Sequence, residues 1–202
     1  LTAAVLGCAV AAAAAAQYEP QNPRLPRVEQ IRATVEIERY EVEGRRQAAL
    51  ERLLDFSGPL GYDAQTRYEV APYFEFQESA AGCGMTHLEF DLHLTFTYPR
   101  WVDYERARSD MRRAWDARLQ RLDVHEQVHG LIAFMGTVEV YNAMVRVASA
   151  PDCAALEDRV RAALDAAMDR VDEEQDRYDE LTDHGADQED FAWDEFGAYA
   201  AE

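Results

Sequence analysis

His125, Glu126 and His129 stand in the order H-E-x-x-H, within the run R-L-D-V-H-E-Q-V-H-G at 121–130. On a helix, residues four apart are neighbours on one face, with Cβ atoms about 5–6 Å apart. Two imidazoles so placed can share a metal ion at about 2.0–2.1 Å each, the distance zinc takes from nitrogen. Glu126 sits one step around the helix, where a carboxylate can take a proton from a metal-activated water. The alternative is an accident of composition, so the surrounding elements must decide. A hydrolytic zinc site uses three protein ligands and leaves one position open. Two sources for the third are His184, in a loop beyond the last helix, and a carboxylate on that helix, Glu173 or Glu174. Tyr178 is a candidate donor to a developing oxyanion, against a plain packing role at the helix end. His87 and His93 fall on the polar side of a strand and read as solvated.

The elements that must position these groups follow from periodicity. Ile31, Ala33, Val35 and Ile37 alternate with polar residues, a period of two that predicts a strand. Residues 45–56 read as a short helix ended by Ser57-Gly58-Pro59. The clearest strand is 87–98, with Leu88, Phe90, Leu92, Leu94, Phe96 and Tyr98 on one side. The loop Ser79-Ala80-Ala81-Gly82-Cys83-Gly84 predicts an antiparallel hairpin of about 65–78 with 86–98. From Trp101 the period becomes helical through Trp115 to Leu122, and a motif helix follows to about Val147, with Asp123 as a candidate cap. Pro151-Asp152 punctuates the chain before a last helix over about 152–180. Strands first and three long helices after predict an α+β domain, a small antiparallel sheet from the N-terminal half packed with helices. Strand 87–98 is a candidate edge for pairing with an extended substrate, or else a central strand.

At 202 residues the chain is one domain with tails, at a formal charge of −19 from 39 acidic and 20 basic residues. All the basic residues are Arg. This balance argues against nucleic acid, which needs basic patches, and against anionic membrane surfaces. Residues 1–16 are uncharged and Ala-rich, ending in Ala14-Ala15-Ala16 before Gln17. They read as a signal peptide lacking its basic start, so the expectation is an exported protein, periplasmic or extracellular, without stable membrane insertion after processing. An Ala-rich helix is the rival reading. Val5-Leu6-Gly7-Cys8 resembles a lipoprotein box, ranked lower because few residues precede it. Residues 17–27, with three prolines, read as a linker. The domain proper is 28–188, and 189–202 is an acidic, aromatic tail. With Cys8 removed, Cys83 and Cys153 form an even pair, a disulfide candidate in an exported chain, against two unrelated buried thiols.

Three stretches carry a resemblance to the predicted secreted bacterial zinc-dependent proteases, a zincin-like family. They are Tyr40-Glu41-Val42-Glu43-Gly44 with the segment around Leu50 and Gly58-Pro59; H-E-Q-V-H at 125–129 after a Trp-bearing helix; and Tyr178-Asp179 with Thr182-Asp183-His184-Gly185 and Gln188. The resemblance implies a zinc metallopeptidase acting on peptide or protein substrates. In it His125, His129 and His184 are the metal ligands and Glu126 the general base. It favours His184 over Glu173 or Glu174, and its cysteines match Cys83 and Cys153. Two other readings stand beside it: a non-catalytic zinc-binding envelope protein that acts through a partner, and an interaction domain without metal.

Overall fold

The side chains that alternate over 87–98 sort as their period requires. Phe90, Leu92, Leu94, Phe96 and Tyr98 are each at most 1% exposed, while His93 is exposed. They line the inner face of a sheet in a computed structural model that describes residues 16–44 and 62–188. The helix expected over 45–56, the signal stretch before Ala16 and the tail after Gln188 lie outside the described residues.

The sheet contains β1 (Ile31–Val42), β2 (Gln65–Ser79) and β3 (Gly82–Trp101), with a short β4 (Ser149–Ala150) on the start of β3. β2 and β3 form the expected antiparallel hairpin through Ala80 and Ala81. Gly82 is required at its exit: φ is +124°, and a Cβ there would stand 2.5 Å from the carbonyl oxygen of Ala150. The sheet is not wholly antiparallel. β3 runs back between β1 and β2, so it is the central strand and pairs with β1 in parallel, Ile31 opposite Phe90. Edge exposure therefore falls to β1, β2 and the two-residue β4 among the described strands.

Among the described residues two long helices, not three, cover the inner face: α1 (Ser109–Arg146) and α2 (Cys153–Thr182). The Trp-bearing helix and the motif helix are one 38-residue helix. No proline interrupts 109–146, and Asp123 lies inside α1 instead of capping it, 1% exposed. Trp101 ends β3 and Tyr104 lies in a short 3-10 turn before α1. An 18-residue window of α1 is apolar enough to cross a membrane, yet 56% of it is buried within the domain. Leu119, Ala133, Phe134, Val140 and Met144 from α1 meet Leu156, Val160 and Ala167 from α2 over the sheet.

Asp152 caps α2, accepting a hydrogen bond from Ala155 N at 2.8 Å. One residue later Cys153 bonds to Cys83 in a disulfide, with Cα atoms 4.9 Å apart. The bridge ties the hairpin end of β3 to the start of α2, as the cysteine pairing anticipates. The chain is thus an α+β domain whose H-E-x-x-H motif lies in mid-helix between sheet and second helix.

Candidate metal centre

The i, i+4 spacing in α1 brings the two imidazoles together, with Nε2 of His125 and Nε2 of His129 3.1 Å apart. α2 supplies the third atom. Oδ1 of Asp179 lies 3.0 Å from each Nε2. The edge of a tetrahedron built on bonds of about 2.0–2.1 Å is about 3.3 Å, so this near-equilateral triangle matches one face of a small tetrahedral ion's ligand set. These are the only three such ligand atoms gathered within 4.8 Å of one another among the described residues.

Proton accounting strengthens the match. Gln175 donates its Nε2 to the carbonyl oxygen of His129 at 3.1 Å, which turns its Oε1 toward His129 Nδ1 at 2.5 Å. An amide oxygen only accepts, so Nδ1 of His129 carries the hydrogen and Nε2 presents a lone pair. His125 is held alike. Its Nδ1 lies 3.2 Å from Oε1 of Gln188 and 3.3 Å from Oγ1 of Thr182, and Tyr178 donates its hydroxyl to the same Gln188 oxygen at 2.6 Å. Two nitrogen lone pairs and a carboxylate oxygen therefore converge, and only something positive, a proton or a metal cation, reconciles them. For Asp179, burial would raise the carboxyl, but hydrogen bonds with His125 and His129, made where a proton instead of a metal lies between them, outweigh it and hold it well below the usual carboxylate range. Burial pulls the His129 imidazole down, and Asp179, Glu126 and Gln175 more than reverse this, leaving it raised.

Glu126 lies beside the triangle, 4% exposed. Thr66, at the start of β2, donates its hydroxyl to Oε2 of Glu126 at 2.7 Å. Burial raises the Glu126 carboxyl against the opposing pull of His129, His125 and Thr66. A cavity of about 500 Å³ opens over these groups, walled by Tyr62 to Thr66 and Tyr68 on one side and Gln175, Asp179 and His184 on the other. At its edge Tyr68 donates to Asp172, and Arg118 pairs with Asp63.

The residues expected from the motif are therefore brought together, with one rearrangement around the third ligand. His184 lines the same cavity, but its Nδ1 is 3.6 Å from Asp179 Oδ1 and its side chain is 59% exposed. It stands on left-handed backbone (φ 52°), between Asp183 (φ 47°) and Gly185 (φ 86°). Gly185 has to be glycine for a second reason: a Cβ there would lie 3.0 Å from Cγ of His125. Glu174 pairs with Arg177 at 3.5 Å, Glu173 is exposed, and neither lines the cavity. Tyr178 is fully buried, its ring stacked on His125 at 4.9 Å between centroids, with its hydroxyl on Gln188. His87 and His93 stay on the outer face of the sheet, away from the cavity.

Asp179, Gln175 and Thr66 are members of the candidate site that the pattern of the motif alone misses. Gln175, Asp179 and Thr182 follow at helical spacing on α2, and this was the available signal once the helix is carried through to Thr182.

Fold and site define an α+β domain with a buried H-E-x-x-H helix and a third, carboxylate donor from the neighbouring helix. The chain belongs to a bacterial protein family of unknown function, DUF922, whose model matches residues 37–185 and so takes in both the motif and the end of α2. No curated protein and no solved structure matches the chain.

Proposed function

We propose that this is an exported zinc-dependent peptidase of the zincin kind, with His125, His129 and Asp179 holding the ion and Glu126 as general base. The observation that carries the reading is the convergence of three lone-pair donors at 3.0–3.1 Å next to a buried carboxylate, beneath an open cavity. A zinc ion bound there would supply Lewis acidity and a water acidified toward neutral pH. The chain's own residues do the rest. Glu126, raised by burial, takes a proton from the attacking water and passes it toward the leaving amine. Thr66 fixes the carboxylate by one oxygen so that the other faces its work. Gln175 and Gln188 hold the two imidazoles in the tautomer a metal needs, and Tyr178, stacked on His125, positions that ring. The edge strand β2, whose first residues wall the cavity, offers backbone groups for an extended peptide.

A second reading has its own support. His184 lies close enough to Asp179 that a side-chain rotation could bring it in as a fourth ligand, and a closed site stores or senses metal without catalysis. Glu126→Gln separates the two. In a peptidase, cleavage of a peptide library by the zinc-loaded protein falls at least about 100-fold while one equivalent of zinc stays bound. If the unaltered zinc-loaded protein cleaves nothing in the library, the closed-site reading replaces the first.

A further inference from the structure

The stretch after the expected export junction is built into the fold. Gln17, with its amide oxygen turned inward, accepts from Trp115 Nε1 at 2.9 Å and from the backbone N of Trp101 at 3.2 Å. Tyr18 donates its backbone N–H to Asp116 Oδ1 at 3.0 Å and its hydroxyl to Asp123 Oδ2 at 2.6 Å. Asp123 is buried, and Tyr98 donates to its other oxygen at 3.0 Å. A segment serving only as a spacer needs none of these bonds.

One carboxylate brackets the peptide bond between Ala16 and Gln17. The hydroxyl of Tyr104 lies 3.5 Å from the carbonyl oxygen of Ala16 and 2.6 Å from Asp116 Oδ2. From the other side, Tyr18 N holds Asp116 Oδ1. We infer that Ala16–Gln17 is the processing site, and that the α-ammonium freed on Gln17 pairs with Asp116. The inference rests on the export reading and is independent of the metal chemistry. Hydrolysis adds one water across the bond: the new carboxylate departs with Ala16, and the amine remains on Gln17. An α-amine titrates near about 7.7–8.0, so at neutral pH it is mostly charged. The uncut chain has only a neutral amide at that place, so Asp116 distinguishes processed from unprocessed protein.

The test compares a chain beginning at Gln17, the same chain acetylated at its amine, and a chain beginning at Ala14. Each is melted as the unaltered sequence and as Asp116→Asn, and the protein exported by a bacterial host is weighed intact. The exported mass should match a Gln17 start. The free-amine chain should melt about 2–4 °C above the other two, the effect of a partly exposed ion pair in a domain of this size, and the gap should close in Asp116→Asn. The acetylated chain keeps Asp116 and all other contacts, so it reports on the ammonium even if Asp116→Asn folds poorly. Equal melting of the three chains, or a gap that survives Asp116→Asn, overturns the ion pair while leaving export standing. An exported chain that starts elsewhere overturns the processing site, whereas one that starts at Gln17 but is short by one ammonia, because Gln17 has cyclised, carries no α-ammonium and overturns the ion pair.

Discussion

Gly136 offers a way to test whether the spacing of the two helices sets the candidate metal centre. It lies in α1, seven residues after His129, and meets α2 at Val171. A Cβ at position 136 would fall 2.3 Å from Val171 Cγ2, 3.0 Å from Cγ1 and 3.2 Å from Cβ. Carbon atoms rest at about 3.5–4.0 Å, so Gly136→Ala must push the helices apart by about 1 Å. Valine in a helix has one strongly preferred rotamer and cannot turn away. Alanine gains about 1 kcal/mol of helix propensity over glycine, whereas overpacking costs about 1–3 kcal/mol and this overlap belongs at the upper end. The net loss is about 1–2 kcal/mol, a fall in Tm of about 2–8 °C. Gln175 and Asp179 lie one and two turns further along α2, so the same displacement draws Asp179 from the histidines. Zinc affinity should drop about 10-fold or more, since ligands must be held to about 0.5 Å. Calorimetry of the metal-free protein and competition against a chromophoric chelator measure the two effects. Adding Val171→Ala removes the two clashing methyl groups, so the double variant should be more stable than the sum of the single losses. A Gly136→Ala protein that melts at or above the unaltered one, or a double variant whose losses simply add, refutes the reasoning.

The third ligand can be read from chelator competition. Asp179→Asn should weaken zinc binding by more than about 100-fold, beyond what loss of an outer hydrogen bond costs, and His184→Ala by less than about 10-fold; the reverse order would assign the ligand to His184. Metal-free protein should lose stability as pH rises. His129 is raised in the folded state, so its contribution is fully present below the unfolded value of about 6.5 and disappears as pH climbs through the higher folded value. Asp179, held low, keeps its contribution above about pH 4 and loses it only in acid. Thermal melts between pH 6 and pH 9 (about the range this needs) should therefore decline without zinc and stay level with it, and Asp179→Asn should flatten the metal-free decline. Reducing the Cys83–Cys153 bridge, which closes a loop of 70 residues, should cost about 4 kcal/mol by the chain-entropy model. A change below about 1 kcal/mol in denaturant titrations would show that the reduced chain already holds that end of the domain together.

Much of this molecule was legible along the chain wherever one local period governed it. The alternation over 87–98 names the buried face of β3 because a strand sends neighbouring side chains to opposite sides. The glycine-bearing turn before Cys83 places the hairpin, and the four-residue spacing of His125 and His129 places both imidazoles on one helical face. Parity and the expected compartment made Cys83 and Cys153 a disulfide candidate, and the fold bonds them. What tertiary structure decided involves partners far apart in sequence. β1 lies parallel to β3 because β3 inserts between two strands that precede it, an order no local pattern encodes. α1 runs unbroken through Asp123 because that carboxylate finds Tyr98 and Tyr18 instead of its own helix end. Proline content marks residues 17–27 as a linker, yet hydrogen bonds to α1 fasten their beginning. The third donor depends on how α2 crosses α1: Gly136 lets the helices approach, and that approach selects Asp179 from a helix rich in carboxylates, leaving Glu173 in solvent and His184 at the cavity rim. The sequence by itself determined the residue types of the candidate metal site and two of their positions. The distance between two helices determined the third, because a ligand set is a property of side chains converging in space, and spacing along the chain predicts convergence only within a single element.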